Sequence, residues 1–232
     1  MDPLLAQLRE AIHRAEKGHT PAVAPTVGLP TGLAEVDAVL GGFPRGRVAE
    51  LLGAWSSGKT SVALAAAARA TQGGGLVAWV DSRRELCPPA AAAHGVELAR
   101  LLVVRPPGTA AALARAVEIL ADGRVFALIV VDVPDRLRIE GTAAARLRVA
   151  AQAGDAAVVL LAGAPVAVGV TTLRAHVDAD GVVVGKGGAG PGARARRPAP
   201  AIRPEAAFWP EDVAEQLTLL PGLMKSARRA PR

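Results

Sequence analysis

VAELLGAWSSGKTSVALAAAARAT, residues 48–71, is the stretch on which the fold turns. Val48 to Leu52 is a short apolar run that reads as a strand, and Lys59 to Thr71 is an alanine-rich run that reads as a helix. Between them Gly53-Ala54-Trp55-Ser56-Ser57-Gly58-Lys59-Thr60 satisfies G-x-x-x-x-G-K-[ST], in the strand, loop, helix context that pattern requires. Glycines at 53 and 58 let the backbone curl so that successive N–H groups face phosphates, and the helix N-terminus adds its positive dipole end. Lys59 is the candidate partner of the β and γ phosphates and the candidate catalytic cation; the Thr60 hydroxyl is a candidate Mg²⁺ ligand. The expected cofactors are therefore ATP and Mg²⁺. The expected binding set is Gly53, Ala54, Trp55, Ser56, Ser57, Gly58, Lys59, Thr60 and Ser61. Trp55 is unusual in such a loop; it either covers the nucleotide or packs on the loop.

Outward from this stretch, strands alternate with helices. Strands are read at Leu76–Asp81, Leu101–Val104, Ala127–Asp132 and Ala156–Leu161, and helices at Pro89–His94, Thr109–Leu120 and Ala143–Ala153. Continuous apolar strands separated by helices predict an α/β fold with a parallel sheet covered on both faces. Leu128-Ile129-Val130-Val131-Asp132, an apolar run ending in an acid, is the expected Walker B strand, with Asp132 on the metal and Asp135 as the competing carboxylate. Before the core, Leu4, Leu5, Leu8, Ile12 and Ala15 recur at helical spacing, and a Pro-containing linker follows. After it the chain turns to Gly, Pro and Arg. The expected organisation is an N-terminal amphipathic helix and linker over 1–27, an ATP-binding core over 28–185, and a flexible basic tail over 186–232.

The chain has 232 residues, which at roughly 100–200 residues per domain means one main domain with appendages. No apolar run approaches the 18 or so residues of a membrane span, and residues 1–17 lack a signal-peptide pattern, so the expectation is a soluble, cytoplasmic protein at the nucleoid, with no membrane partner. The lone Cys87 excludes internal disulfides and multi-cysteine metal sites, and is expected to be a small buried hydrophobe. His13, His19, His94 and His176 show no metal spacing. Charge is uneven: residues 1–185 hold 18 Lys and Arg against 17 Asp and Glu, whereas residues 186–232 hold 9 against 4. A neutral body with a basic tail points to an anionic partner, nucleic acid first.

The segment PTGLAEVDAVLGGFPRGRVAELLGAWSSGKT (30–60) resembles the opening of the RecA recombinase core, with Gly32, Asp37, Leu40, Gly42, Pro44, Gly46, Glu50 and the Ser56-Ser57 pair matching that family's pattern. WVDSRRELCP (79–88) is similar to the strand that ends in Asp-Ala-Glu there, and IVVDVPDRL (129–137) to its Walker B strand. The resemblance covers roughly residues 30–165 and implies a RecA-like fold. Its departures are informative. Arg83 stands where the family carries the Glu that activates water, and an arginine cannot accept a proton. Glu85 is the candidate substitute base. Cys87 and Ala90 replace an Asp and a Tyr near the adenine, and Leu160-Leu161-Ala162-Gly163-Ala164-Pro165 lacks the Gln that senses the γ-phosphate. The first DNA-binding loop is reduced to Pro134–Gly141, and the second is hard to identify within Pro165–Thr172.

A core of this size with an N-terminal helix, altered catalytic positions and a basic tail resembles the ImuA family of bacterial SOS mutagenesis proteins. That resemblance implies an accessory in translesion DNA synthesis that meets an ImuB-like polymerase component, with RecA and the sliding clamp as further candidate partners. Candidate contacts to DNA, expected to be single-stranded and read without sequence preference, are Arg136, Arg138, Arg146, Arg148, Arg174, Lys186, Arg194, Arg196 and Arg197. The alternative for these arginines is a solvated polar rim. Gln216-Leu217-Thr218-Leu219-Leu220 resembles a clamp-binding peptide, with Gln216 at a pocket rim and Leu217, Leu219 and Leu220 apolar; packing on the body is the alternative. The N-terminal helix is a candidate for self-association. The competing functions are a DNA-stimulated ATPase of recombination type, weak if active and using Glu85, and a scaffold that ignores nucleotide.

Overall fold

The computed structural model describes residues 28–167, 169–178, 181–186 and 194–195. In chain order the elements are α1 (Ala34–Leu40), β1 (Val48–Leu52), α2 (Lys59–Gln72), β2 (Leu76–Asp81), α3 (Pro88–Ala93), a 3₁₀ turn (Leu98–Arg100), β3 (Leu101–Val104), α4 (Ala110–Asp122), β4 (Phe126–Asp132), α5 (Gly141–Gly154), β5 (Ala157–Ala162), β6 (Thr171–Asp178), β7 (Gly181–Lys186) and β8 (Arg194–Ala195). The strands form one sheet in the order β3-β2-β4-β5-β1-β6-β7-β8. The β3/β2, β2/β4, β4/β5, β5/β1 and β1/β6 pairs are parallel, while β6/β7 and β7/β8 are antiparallel.

Alternation along each central strand feeds two separate cores. Ile129, Val131, Val158 and Leu160 pack with α4 and α5 on one face. Leu128, Val130, Val159, Leu161 and Trp79 pack with α2 on the other. This is why those strands read as unbroken apolar runs. The small side chains of α2 let it lie close to the sheet, with Ala63, Ala66 and Ala67 fully buried. At the opposite helix pair, a Cβ on Gly154 would lie 2.7 Å from the Ala121 carbonyl oxygen, so α5 and α4 touch where only glycine fits.

The carboxyl ends of the strands are in step. Asp81 pairs in register with Asp132, Asp132 with Leu161, and Ala162 with Leu52. Loops leaving β1, β2, β4 and β5 therefore emerge along one edge, where ligands of open α/β sheets bind.

Three parts of the fold lie outside the sequence expectation. Helix α1 spans only 7 residues and buries just Val36 and Leu40. It is fixed by Asp37, whose carboxylate accepts from Thr31 N at 2.7 Å, Thr31 Oγ1 at 2.8 Å and Gly32 N at 3.0 Å. Strand β6 alternates, with Ala175 and Val177 buried and Thr172, His176 and Asp178 exposed, so its single covered face hides it from a search for continuous apolar runs. The sheet also continues beyond residue 185 through Lys186 and the short β8, inside the stretch expected to be flexible. The expected N-terminal helix, Arg196, Arg197 and the 216–220 peptide lie outside the described residues. Among the described residues, no helix is long and apolar enough to cross a membrane.

Candidate functional site

The loop between β1 and α2 is shaped by two glycines. Gly53 N donates to Ala162 O at 3.1 Å, tying the loop to β5, and a Cβ at 53 would collide with Ser57 Oγ and the Val177 carbonyl. Gly58 has φ 93°, a left-handed conformation that glycine adopts freely, and Ser56 has φ 60°. Ser57 N then donates to Ala54 O at 3.2 Å and Val62 N to Gly58 O at 3.1 Å, so the curl passes directly into α2. Lys59 Nζ donates to Ala54 O at 3.1 Å across the loop. Its pKa is lowered by burial first and by the nearby Arg83 second.

Asp132 ends β4 with its side chain 14% exposed. Burial raises its pKa from 3.8 to about 6, against the pull of Arg83. Its carboxylate and the Thr60 hydroxyl are hard-oxygen donors of the kind that suit Mg²⁺ when phosphate and water complete the shell. Among the described residues no cluster of three or more His, Cys, Asp or Glu side chains is arranged to hold a metal by itself. The glycine-shaped curl and these donors fit a Mg²⁺-nucleotide.

Arg83 occupies the centre of the edge. Its Nη2 lies 3.0 Å from Glu85 Oε2 and 3.1 Å from Glu85 Oε1. Its Nη1 lies 3.5 Å from Asp135 Oδ1 and its Nε 3.8 Å from Asp132 Oδ2. The guanidinium carbon stands 4.6 Å from the centroid of Trp55, a cation–π stack on a ring that is 67% exposed. Burial opposes the charge on Arg83, but the Glu85 hydrogen bond and the carboxylates raise its pKa overall. The loop carrying it is held by hydrogen bonds at both ends. Fully buried Asp81 accepts from Glu85 N at 2.9 Å, Leu86 N at 3.3 Å and Arg105 Nε at 3.0 Å. Ser82 Oγ donates to Asp132 O at 2.6 Å, which staples the loop to β4.

The candidate residues are thus partly brought together. The loop 53–61, Asp132, Asp135 and Glu85 gather at one edge, with Glu85 held on Arg83. The candidate DNA arginines disperse. Arg174 Nε is ion-paired at 2.7 Å with fully buried Glu50. Arg138 Nη1 donates to Pro165 O at 2.8 Å. Arg136, Arg146 and Arg148 are exposed, and Arg146 lines a groove between α4 and α5 with Glu118 and Asp122. Lys186 and Arg194 lie on β7 and β8. Cys87 is exposed, contrary to the expectation of a buried hydrophobe, because it precedes the short exposed helix α3 rather than filling a core.

The segment between β5 and β6 is short and pinned. Glu50 Oε1 accepts from Val166 N at 3.0 Å and Ala167 N at 2.8 Å. Ile139 N donates to Val166 O at 2.8 Å, joining this segment to the loop after β4. Sequence reasoning missed the roles of Glu50, Asp81 and Ser82, since a polar residue in or after a strand says nothing of its partner. It also missed the Trp55–Arg83 stack, although both oddities were visible: a tryptophan in the phosphate loop and an arginine in place of an acid.

Residues 15–191 match the family model of the RecA N-terminal domain. The chain is similar to protein RecA of Nocardioides sp., at 44% identity over 125 residues, covering 51% of this chain and 35% of that protein. Protein RecA of Picosynechococcus sp. is 42% identical over 119 residues (49% of this chain, 34% of that protein), and that of Salinispora arenicola 39% over 149 residues (61% and 42%). The chain matches less than half the length of each of these relatives.

Proposed function

The chain belongs to the RecA N-terminal domain family, and on that premise we propose that it is a RecA-type protein that binds Mg²⁺-ATP and DNA but retains rather than spends the nucleotide, serving as an accessory in damage-induced translesion synthesis. The observation that carries this reading is Arg83: an intact phosphate loop faces a guanidinium at the position where the RecA resemblance expects a proton-accepting Glu. In the proposed complex the backbone N–H groups of the loop and Lys59 bind the phosphates, and Thr60 and Asp132 hold Mg²⁺. The metal supplies charge neutralisation at the phosphate oxygens. Arg83 takes no proton, and both oxygens of Glu85 are engaged by Arg83 at 3.0–3.1 Å, so Glu85 is held on the guanidinium rather than poised to activate water.

The accessory role is supported by the reduced loops. The segments after β4 and β5 are tied to each other and to Glu50, which leaves little extended surface of the kind that couples nucleotide to strand exchange. An ImuB-like polymerase component is the favoured protein partner, with RecA and the clamp tested alongside. The deciding experiment measures Mg²⁺-ATP binding and turnover, with and without single-stranded DNA, for the parent, Lys59→Ala and Glu85→Ala. The expected result is binding lost in Lys59→Ala and negligible turnover in every sample. Turnover that DNA stimulates and Glu85→Ala abolishes would replace this reading with a working ATPase whose base is Glu85.

A further inference from the structure

We propose that Arg83 is a phosphate ligand supplied in cis, and that it makes the site selective for nucleoside triphosphates over diphosphates. This deepens the nucleotide-binding reading and rests on it. Arg83 is the one guanidinium among the described residues that reaches both the phosphate loop, through Trp55 at 4.6 Å, and the metal-side carboxylate, through Asp132 at 3.8 Å. Its side chain is only 13% exposed and has three carboxylates around it, two of them, Glu85 and Asp135, roughly half exposed. A structural ion pair needs one carboxylate. Three partners at 3.0, 3.5 and 3.8 Å, two of them beyond good hydrogen-bond length, leave the fork with unspent donors.

The backbone under Arg83 is held by Asp81 and Ser82, so only the side chain turns. Trp55 provides a flat surface for it to slide on. Mg²⁺ at Asp132 would compete for the carboxylate nearest the guanidinium Nε, and the terminal phosphate beside Lys59 would offer two oxygens as bidentate acceptors for the planar fork in exchange. A diphosphate ends one group short of that exchange. The loop N–H groups and Lys59 would bind both nucleotides, whereas Arg83 would discriminate between them.

The test is calorimetric titration of the full chain with Mg²⁺-AMP-PNP and with Mg²⁺-ADP, for the parent, Arg83→Ala and Arg83→Lys, with melting temperatures recorded to confirm folding. The expected parent binds AMP-PNP at least about tenfold more tightly than ADP. Arg83→Ala is expected to weaken AMP-PNP at least about tenfold more than ADP, with Arg83→Lys, a point charge without the fork, in between. Trp55 emission should change on adding AMP-PNP to the parent, and this change should be absent in Trp55→Phe. Equal weakening of both nucleotides by Arg83→Ala would overturn the proposal, since Arg83 would then merely balance the carboxylates. Tighter AMP-PNP binding in Arg83→Ala would overturn it too, marking Arg83 as a plug. If the parent binds neither nucleotide, the phosphate-loop reading itself fails, and the proposal with it.

Discussion

Lys59 and Arg83 bring two cations to three carboxylates, and Asp132 absorbs the consequence. Burial raises Asp132 from 3.8 to about 6, so between those values the folded protein holds a proton that the unfolded chain has released. Stability from this group is therefore greatest below about pH 4 and falls as pH rises through about 6. Asp132→Asn mimics the protonated form. In metal-free buffer at pH 7.5 it is expected to be more stable than the parent by on the order of 1 kcal/mol, because release of the buried charge outweighs the loss of a 3.8 Å ion pair with Arg83. Thermal melts between pH 4 and 8 check this, and the gap should close toward the acid end. A variant that is less stable at every pH would show instead that the ion pair dominates.

Among the elements, β1 is bound to β6 and to the segment after β5 by one side chain, Glu50. It is fully buried and accepts from Val166 N, Ala167 N and Arg174 Nε. Glu50→Ala strands two backbone donors and a guanidinium at once. A loss of about 3–5 kcal/mol in urea unfolding is expected, whereas Glu50→Gln should keep part of the network and lose less. The α4–α5 contact is sensitive to size rather than charge. Gly154→Ala places a methyl 2.7 Å from Ala121 Cβ and its carbonyl oxygen, both on an adjacent helix that cannot yield easily. It should lower the unfolding free energy by about 1–3 kcal/mol, and an unchanged midpoint would mean that the helices part without penalty.

Across the whole molecule the charge is divided. Residues 1–185 are close to neutral and residues 186–232 carry the excess, while two of the candidate arginines in the core, Arg138 and Arg174, are bonded to the protein itself. Under the DNA-binding proposal, affinity should then reside mainly in the tail. Replacing Arg194, Arg196 and Arg197 with Ala is expected to weaken binding to single-stranded DNA and to flatten the plot of log affinity against log salt by about 2, at about 0.7 per phosphate contact. Fluorescence anisotropy over a salt series measures both. An unchanged slope would move the DNA surface back to Arg136 and its neighbours.

The α/β class, the glycine-shaped loop after β1, the parallel central strands and the acid closing β4 were all legible in residue order, because each depends on local spacing: continuous apolar runs between helical ones, a G-x-x-x-x-G-K-T turn, an apolar run that ends in Asp. What lay beyond that reading depends on residues far apart in the chain. Thr171–Asp178 joins β1 as a parallel strand because its buried face meets a core that residues 48–52 help to build, a partner 124 residues from Arg174. Exposure of Cys87 follows from where α3 lies. Arg83 reads in isolation as a lost catalytic acid. Only the folded sheet sets it between Trp55, Asp132, Asp135 and Glu85, because strand register brings loops from β1, β2 and β4 to one edge, and electrostatic energy depends on distance in space rather than separation in sequence.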